Sequence, residues 1–485
     1  MRQRTDHCGS IRDARRVPAV NHVGKSRFER VTGWLVCSCL ILLTACSTLP
    51  VIVPDMAPAK SRPQVDSAHG PLSTARSREI LAQLESGADA TSIFDRHLAL
   101  EQAVSDSPLL TGNRVRLLED GPETYRAMLA AIEAATDHIN METYILEDDE
   151  VGRRFADVLI EKQLQGVQVN LIYDSAGTLG TPAGFFERLR DGGIRTLEFN
   201  PVNPLTAKAG WDVNQRDHRK LLIVDGRTAF LGGINISSVY SGSSFSQRSK
   251  ARPDGALPWR DTDLQLDGPV VAEFQKLFLE TWQTQKGEPL EPRRFFPQLQ
   301  PQGREVVRAI GSSPDDAFSL IYVTLLSAIN SAETEVLLTN AYFVPDPQLL
   351  AALKAAVARG VDVRLVLPGT TDSALVFHAG RSYYDELLEA GVKIFERRKA
   401  LMHSKTALID GVWSTVGSTN LDWRSFLHNQ EINAVVLGTE FGDRMRAVFE
   451  RDVAQSEQIT LERWRHRSID LRVKETFSRL WQYWL

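Results

Sequence analysis

Cysteine is nearly absent. The 485 residues include four, Cys8, Cys37, Cys39 and Cys46, and none follows position 46. A disulfide framework and a cysteine-based zinc site are thereby excluded from the body of the chain. Long apolar runs are missing too, and the stretch 34–43 is too short to cross a bilayer as a permanent helix. Neither sign of charge dominates. With 56 basic and 61 acidic residues the net charge is −5, which argues against nucleic acid as a partner. What remains is an ordinary soluble composition, long enough for two or three domains.

The short apolar run has its own meaning. Lys25, Arg27 and Arg30 precede it, and Leu43-Thr44-Ala45-Cys46 closes it. A basic flank, an apolar centre and small residues before a cysteine read as a bacterial lipobox. On that reading residues 1–45 are a signal peptide, and Cys46 is diacylated and heads the mature chain. An ordinary signal or a short anchor is the alternative. The first twenty residues make an unusually long segment ahead of the basic flank, which leaves the position of the translation start open. Ser47 stands where an Asp tends to retain lipoproteins at the inner membrane, so the expected location is the periplasm-facing envelope, leaning to the outer membrane. Residues 46–105 then form a tether with Pro50, Pro54, Pro58, Pro63 and Pro71, followed by a helical segment from residue 76 expected to pack on the first of two lobes.

One pattern occurs twice. His218-Arg219-Lys220 is followed by Asp225, Gly232, Gly233 and Asn235; His403-Ser404-Lys405 is followed by Asp410, Gly417, Ser418 and Asn420. Both copies read His-x-Lys, four residues, Asp, six residues, Gly-(Gly/Ser)-x-Asn. A single His-x-Lys-x4-Asp is weak evidence, but two copies with the same tail imply internal duplication. Each copy supplies an imidazole, a cation and a neutral amide. One imidazole can attack phosphorus while the other protonates the leaving oxygen and later deprotonates an acceptor. Lysine and asparagine can hold phosphate oxygens meanwhile, so this chemistry calls for no metal and no cofactor.

These paired motifs resemble the phospholipase D superfamily, most strongly its bacterial cardiolipin synthase branch, over roughly residues 113–453. The resemblance implies one active site between two similar lobes, a phosphohistidine intermediate, and His218, Lys220, Asn235, His403, Lys405 and Asn420 as its residues. Asp225 and Asp410 match the motif aspartates and are expected to tie the motif strand to its surroundings rather than touch phosphate. Glu431, 28 residues after His403, matches the acidic residue that the family places there, and is expected to hold His403. Asp261 is its first-lobe counterpart, with Asp263 as the alternative. The remaining histidines His97, His138, His378, His428 and His466 read as structural.

Strands and helices alternate in both halves, which implies α/β sandwich lobes related by a pseudo-two-fold axis. The Tyr144 and Tyr342 strands and the turns Gly166-Val167-Gln168-Val169 and Gly360-Val361-Asp362-Val363 repeat independently of the motifs. Residues 106–286 and 304–460 are the expected lobes, 287–303 a linker and 461–485 a tail. Two loops, 200–217 and 241–258, break the repeat beside the first motif and are candidates for a lid over the site. The aromatic end Trp481-Gln482-Tyr483-Trp484-Leu485 suits a membrane interface or a cap on the core, and the cap is the expectation. The reading as a whole is a phosphatidyltransferase that takes phospholipid at a membrane surface and makes cardiolipin. A hydrolytic phospholipase D, a nuclease and a non-catalytic envelope scaffold are the alternatives.

Overall fold

A computed structural model describes Leu49 and residues 63–86, 93–105, 107–203, 205, 211–242 and 257–485. The expected signal peptide, Cys46, most of the expected tether and residues 243–256 lie outside them. In the first lobe the strands lie across the sheet in the order Arg195–Phe199, Gln168–Asp174, His138–Thr143, Leu221–Val224, Thr228–Gly232, Thr262–Asp267, Leu109–Glu119. The second lobe runs Ser456–Ile459, Lys393–Arg397, Asp362–Pro368, Glu335–Asn340, Lys405–Ile409, Trp413–Gly417, Asn429–Leu437, Glu305–Ser312. Apart from the added outer strand Ser456–Ile459, the order is the same.

Leu109–Glu119 and Glu305–Ser312 then pair with each other, antiparallel. By register Asn113 holds in the first lobe the place that Glu305 holds in the second, and these two residues are partners. Equivalent residues paired antiparallel lie beside a local two-fold axis, so the lobes are α/β units related by one.

Parallel neighbours need a crossover, and helices supply it. Glu150–Leu164 and Pro347–Ala358 are the matched crossovers, capped by Asp149 and Asp346, whose carboxylates accept from the N–H groups of Gly152 and Gln348. Each crossover returns through a glycine, Gly166 at φ +90° or Gly360 at φ +93°, a left-handed conformation that costs glycine little. The motif aspartates make the next matched feature. Asp225 and Asp410 both adopt positive φ, 53° and 49°. Asp225 accepts from the N–H groups of Thr136, Asp137 and His138. Asp410 accepts from those of Glu333, Thr334 and Glu335.

Two expectations are corrected. The segment from residue 76 is two helices, Thr74–Glu85 and Ile93–Val104, and they pack on the second lobe. Ile93, Phe94 and Leu98 join the second-lobe core beside the almost wholly buried helix Leu320–Ser331, which needs apolar cover on every side. The matched tyrosines are one position out of register. Ile236 N donates to Ile145 O, and its equivalent Leu421 N donates to Tyr342 O, so Tyr342 stands opposite Ile145 and not Tyr144. The segment 287–303 is irregular and lies along the first lobe, with Arg294 N donating to Asp137 and Gln302 N to Gly112 O. Among the described residues no helix is long and apolar enough to cross a membrane.

The aspartate turns generate a stability prediction. Asp410→Ala removes the acceptor of three backbone donors at a partly buried turn, and should lower unfolding free energy by about 1–3 kcal/mol. Urea denaturation measures it; a loss below about 0.5 kcal/mol would mean that water replaces the carboxylate.

Candidate active site

The strand leading into each histidine pairs with a strand of the other lobe. Arg216–Asp217 pairs in parallel with Asn429 and Gln430, and Leu401–Met402 pairs in parallel with Trp259–Arg260. His218 N donates to Gln430 O at 3.0 Å, and His403 N to Arg260 O at 2.8 Å. Arg260 is itself fixed by a bidentate pair with the buried Asp452, at 3.0 Å through both nitrogens. Each imidazole is thereby delivered to the acid-bearing strand across the lobe boundary.

The carboxylates are accordingly exchanged. His218 Nδ1 lies 3.1 Å from both oxygens of Glu431. His403 Nδ1 lies 2.7 Å from Asp261 Oδ2. The expectation that Glu431 holds His403 is corrected: Asp261 does, because the exchanged strands put each acid beside the opposite motif. Asp263, the alternative, holds no imidazole. Its carboxylate accepts from Ile234 N, and burial together with the Asp261 charge pushes its pKa well above the carboxylate range.

The two copies differ around the acids. Ser418 donates its hydroxyl to Glu431. Its counterpart is Gly233, where a Cβ would come within 2.3 Å of Asp261 Oδ1, so the Gly/Ser difference follows from where each carboxylate sits. Lys220 and Lys405 each donate Nζ to the carbonyl of the histidine two residues earlier. Asn235 is tied on both ends, accepting from Ile145 N and donating to Tyr240 Oη. Asn420 keeps its buried carboxamide oxygen without a partner among the described residues.

Burial sets the ionisation. It lowers His218 to about 4, against the pull of Glu431. It also lowers His403, with the Lys405 charge acting in the same direction. Lys220 is brought down to about 7 and Lys405 to about 8, chiefly by burial. Burial opposes ionisation of Asp261 and Glu431, but the facing imidazoles and the lysines outweigh it and hold both below their usual values. Near neutral pH the site therefore presents neutral imidazoles on charged carboxylates, beside lysines poised to gain full charge when an anion enters.

His218, His403, Asn235 and Asn420 line one open cleft of about 980 Å³. Tyr144 and Tyr342 flank the imidazoles, with ring centroids 5.1 Å from His218 and 6.4 Å from His403. Arg216 and Arg424 add cations to the wall, and Trp484 and Leu485 close one side. The motif aspartates stand away from the cleft, at the turns described above. The five histidines read as structural do not line it either. Of the loop 200–217, Trp211 donates to Pro201 O and Asn214 accepts from Arg424, so its far end reaches the cleft wall. Most of the second loop lies outside the described residues.

Sequence reasoning missed Tyr240, whose hydroxyl lies 3.2 Å from His403 Nδ1 while accepting from Asn235. A signal was available: Tyr240 and Ser425 both stand five residues after the motif asparagine, and Ser425 also bonds its asparagine, through Asn420 N. Arg216, Arg424 and Asp372, which accepts from the Tyr342 hydroxyl, carried no such repeat.

A crossed pair of histidine motifs on duplicated α/β lobes defines a phospholipase D-type site. The family profile for the cardiolipin synthase, PLD-like domain matches residues 128–244 and 325–453, once in each lobe. The chain is 36% identical over 386 residues to the cardiolipin synthase of Geobacillus sp. (strain WCH70), covering 79% of this chain and 74% of that one. It is 37% identical over 361 residues to cardiolipin synthase A of Pseudomonas entomophila (strain L48), covering 73% and 71%. The phosphatidylserine synthase of Haemophilus influenzae Rd KW20 shares the fold at TM-score 0.59 and 12% identity, over 79% of this chain and 99% of that one. The chain belongs to the phospholipase D superfamily, in its cardiolipin synthase branch.

The exchange of carboxylates generates a titration prediction. Glu431 supports a proton on His218, so Glu431→Gln should move the His218 titration below its value of about 4 and leave that of His403 in place. Asp261→Asn should lower His403 alone. Imidazole ¹⁵N shifts followed against pH measure both; a response at His403 to Glu431→Gln would mean that each lobe holds its own histidine.

Proposed function

We propose that the protein is a phosphatidyltransferase that joins two phospholipids into a cardiolipin-type lipid through a phosphohistidine. The observation that carries this is the pair of imidazoles on one cleft, each with Nδ1 taken by a carboxylate of the other lobe, which leaves each Nε2 for chemistry. His218, neutral above about pH 4, attacks phosphorus of phosphatidylglycerol, while His403, which takes up a proton from solvent as the phosphate anion enters beside it, gives that proton to the departing glycerol oxygen. The P–O bond to glycerol breaks as the P–N bond forms. His403, now neutral, takes the proton of the acceptor hydroxyl on a second phospholipid. That oxygen bonds to phosphorus and the P–N bond breaks, which restores His218.

Lys220, Lys405 and Asn420 are assigned to the phosphate oxygens, where charge spreads in the transition state. Asn235, bonded to Tyr240 and Ile145, is assigned to shape the same pocket. Asp261 and Glu431 orient the imidazoles and stabilise the imidazolium. Asp225 and Asp410 act on fold alone. Cardiolipin synthesis is what the names of the curated relatives give for those proteins, and their similarity over most of this chain supports the assignment here. A lipid anchor at Cys46, on the periplasmic face of the envelope and leaning to the outer membrane, fits this activity; its support is the sequence Leu43-Thr44-Ala45-Cys46.

The test gives the purified protein labelled phosphatidylglycerol, with and without phosphatidylethanolamine, and resolves the products by mass. Cardiolipin is the expected product, and phosphatidic acid alone would make the enzyme a hydrolase. His218→Asn should abolish the covalent phosphoenzyme. His403→Asn should slow transfer by at least about 10²-fold yet still form the intermediate from a substrate with a good leaving group. Phosphate trapped on His403 would reverse the two roles.

A further inference from the structure

The C-terminal helix is packed inside out. Ile469–Arg479 turns Glu475 and Ser478 into the protein, where Glu475 pairs with Arg467 at 2.8 Å. Its apolar residues face outward: Ile469 is 78% exposed, Val473 61%, Phe477 58% and Leu480 76%. At spacings of four, four and three residues they form one stripe. A helix held by a core does the opposite. The tail beyond it, expected to cap the core, does so only in part. Tyr483 packs on Trp423 and Leu485 O accepts from Arg424 N, but Trp481 and Trp484 remain 47% exposed.

Two observations identify what covers this stripe. The first is continuity, because Trp484 lies at the end of the apolar surface and also lines the catalytic cleft. The second is charge. Residues 461–485 hold six Lys and Arg against three Asp and Glu, a net +3 in a chain whose net charge is −5. Exposed Arg472 and Lys474 flank Val473. An outward apolar stripe, interfacial tryptophans and flanking cations are the signature of a helix lying in the surface of an anionic bilayer. We propose that the face from Ile469 to Trp484 docks on the bilayer and seats the cleft mouth against its phospholipid substrate. This rests on the phosphatidyltransferase reading for its substrate, though the docking itself is tested separately.

The experiment has two arms. Hydrogen exchange of the unmodified full chain is compared with and without vesicles of phosphatidylglycerol and phosphatidylethanolamine. Amides of 469–485 should slow by at least about tenfold with vesicles. Protection that is already present without vesicles and grows with protein concentration would assign the face to a second copy, and overturn the proposal. In the second arm, Val473→Glu/Phe477→Glu should cut turnover of vesicle phosphatidylglycerol by at least about tenfold, since each buried apolar side chain contributes roughly that factor or more. Turnover of monomeric short-chain phosphatidylglycerol should stay within about twofold, which also shows that the variant folds. Equal turnover of vesicles by variant and parent would overturn the proposal. If the variant loses both activities, the exchange arm decides. Failure of the parent on both substrates would sink the transferase reading and leave docking to the exchange arm alone.

Discussion

Each imidazole of this protein is oriented by a carboxylate from the other lobe, and the rest of the site depends on that exchange. Asp261 and Glu431 are fully buried, a position in which a carboxylate is expensive unless cations and donors surround it. The partners that make it tolerable are the opposite histidine and the paired lysines. Neither lobe could satisfy its own acid alone. The exchanged strands Arg216–Asp217 and Leu401–Met402 carry the backbone side of the arrangement, and the pairing at Asn113 and Glu305 sets the axis about which it is symmetric.

Symmetry stops at the side chains. Behind His218 the first lobe buries Glu142, Asp217 and Arg219, where the second lobe has Thr339, Met402 and Ser404. Burial raises the pKa of Glu142 and pushes that of Asp217 well up, while Arg219 crosses the boundary to donate to Glu431 O. Around His403 the extra group is the Tyr240 hydroxyl, where the second lobe has Ser425. Asp263 is matched by Asn433, and both accept hydrogen bonds in the same place as neutral groups would. Two backbones that are nearly the same thus surround two histidines with different chemistry, as a reaction with distinct nucleophile and acid roles requires.

The motifs, the duplication and the α/β class were legible because each leaves a local mark: fixed spacing, repeated turns, alternating strands and helices. The exchange was not. Arg216–Asp217 and Leu401–Met402 are two residues long, too short for any periodicity, and a repeated sequence invites the reading that each repeat serves itself. The helix Ile93–Val104 was misassigned for a related reason. Its apolar face is plain in sequence, but which lobe needs cover depends on the burial of Leu320–Ser331. The tyrosine register failed because Tyr144 and Tyr342 reach the same cleft from positions just past the ends of their strands, one residue apart. The inverted helix at the C-terminus has an ordinary amphipathic sequence, and only packing reveals which face is out.

The central claim is that two motifs make one site. The direct measurement is the number of covalent phosphatidyl groups per chain when the intermediate is trapped with a saturating phospholipid that carries a good leaving group and no free hydroxyl to act as acceptor. One per chain follows from an exchanged site in which the second imidazole serves the first. Two per chain would mean that each lobe is an active site by itself, and would contradict the account.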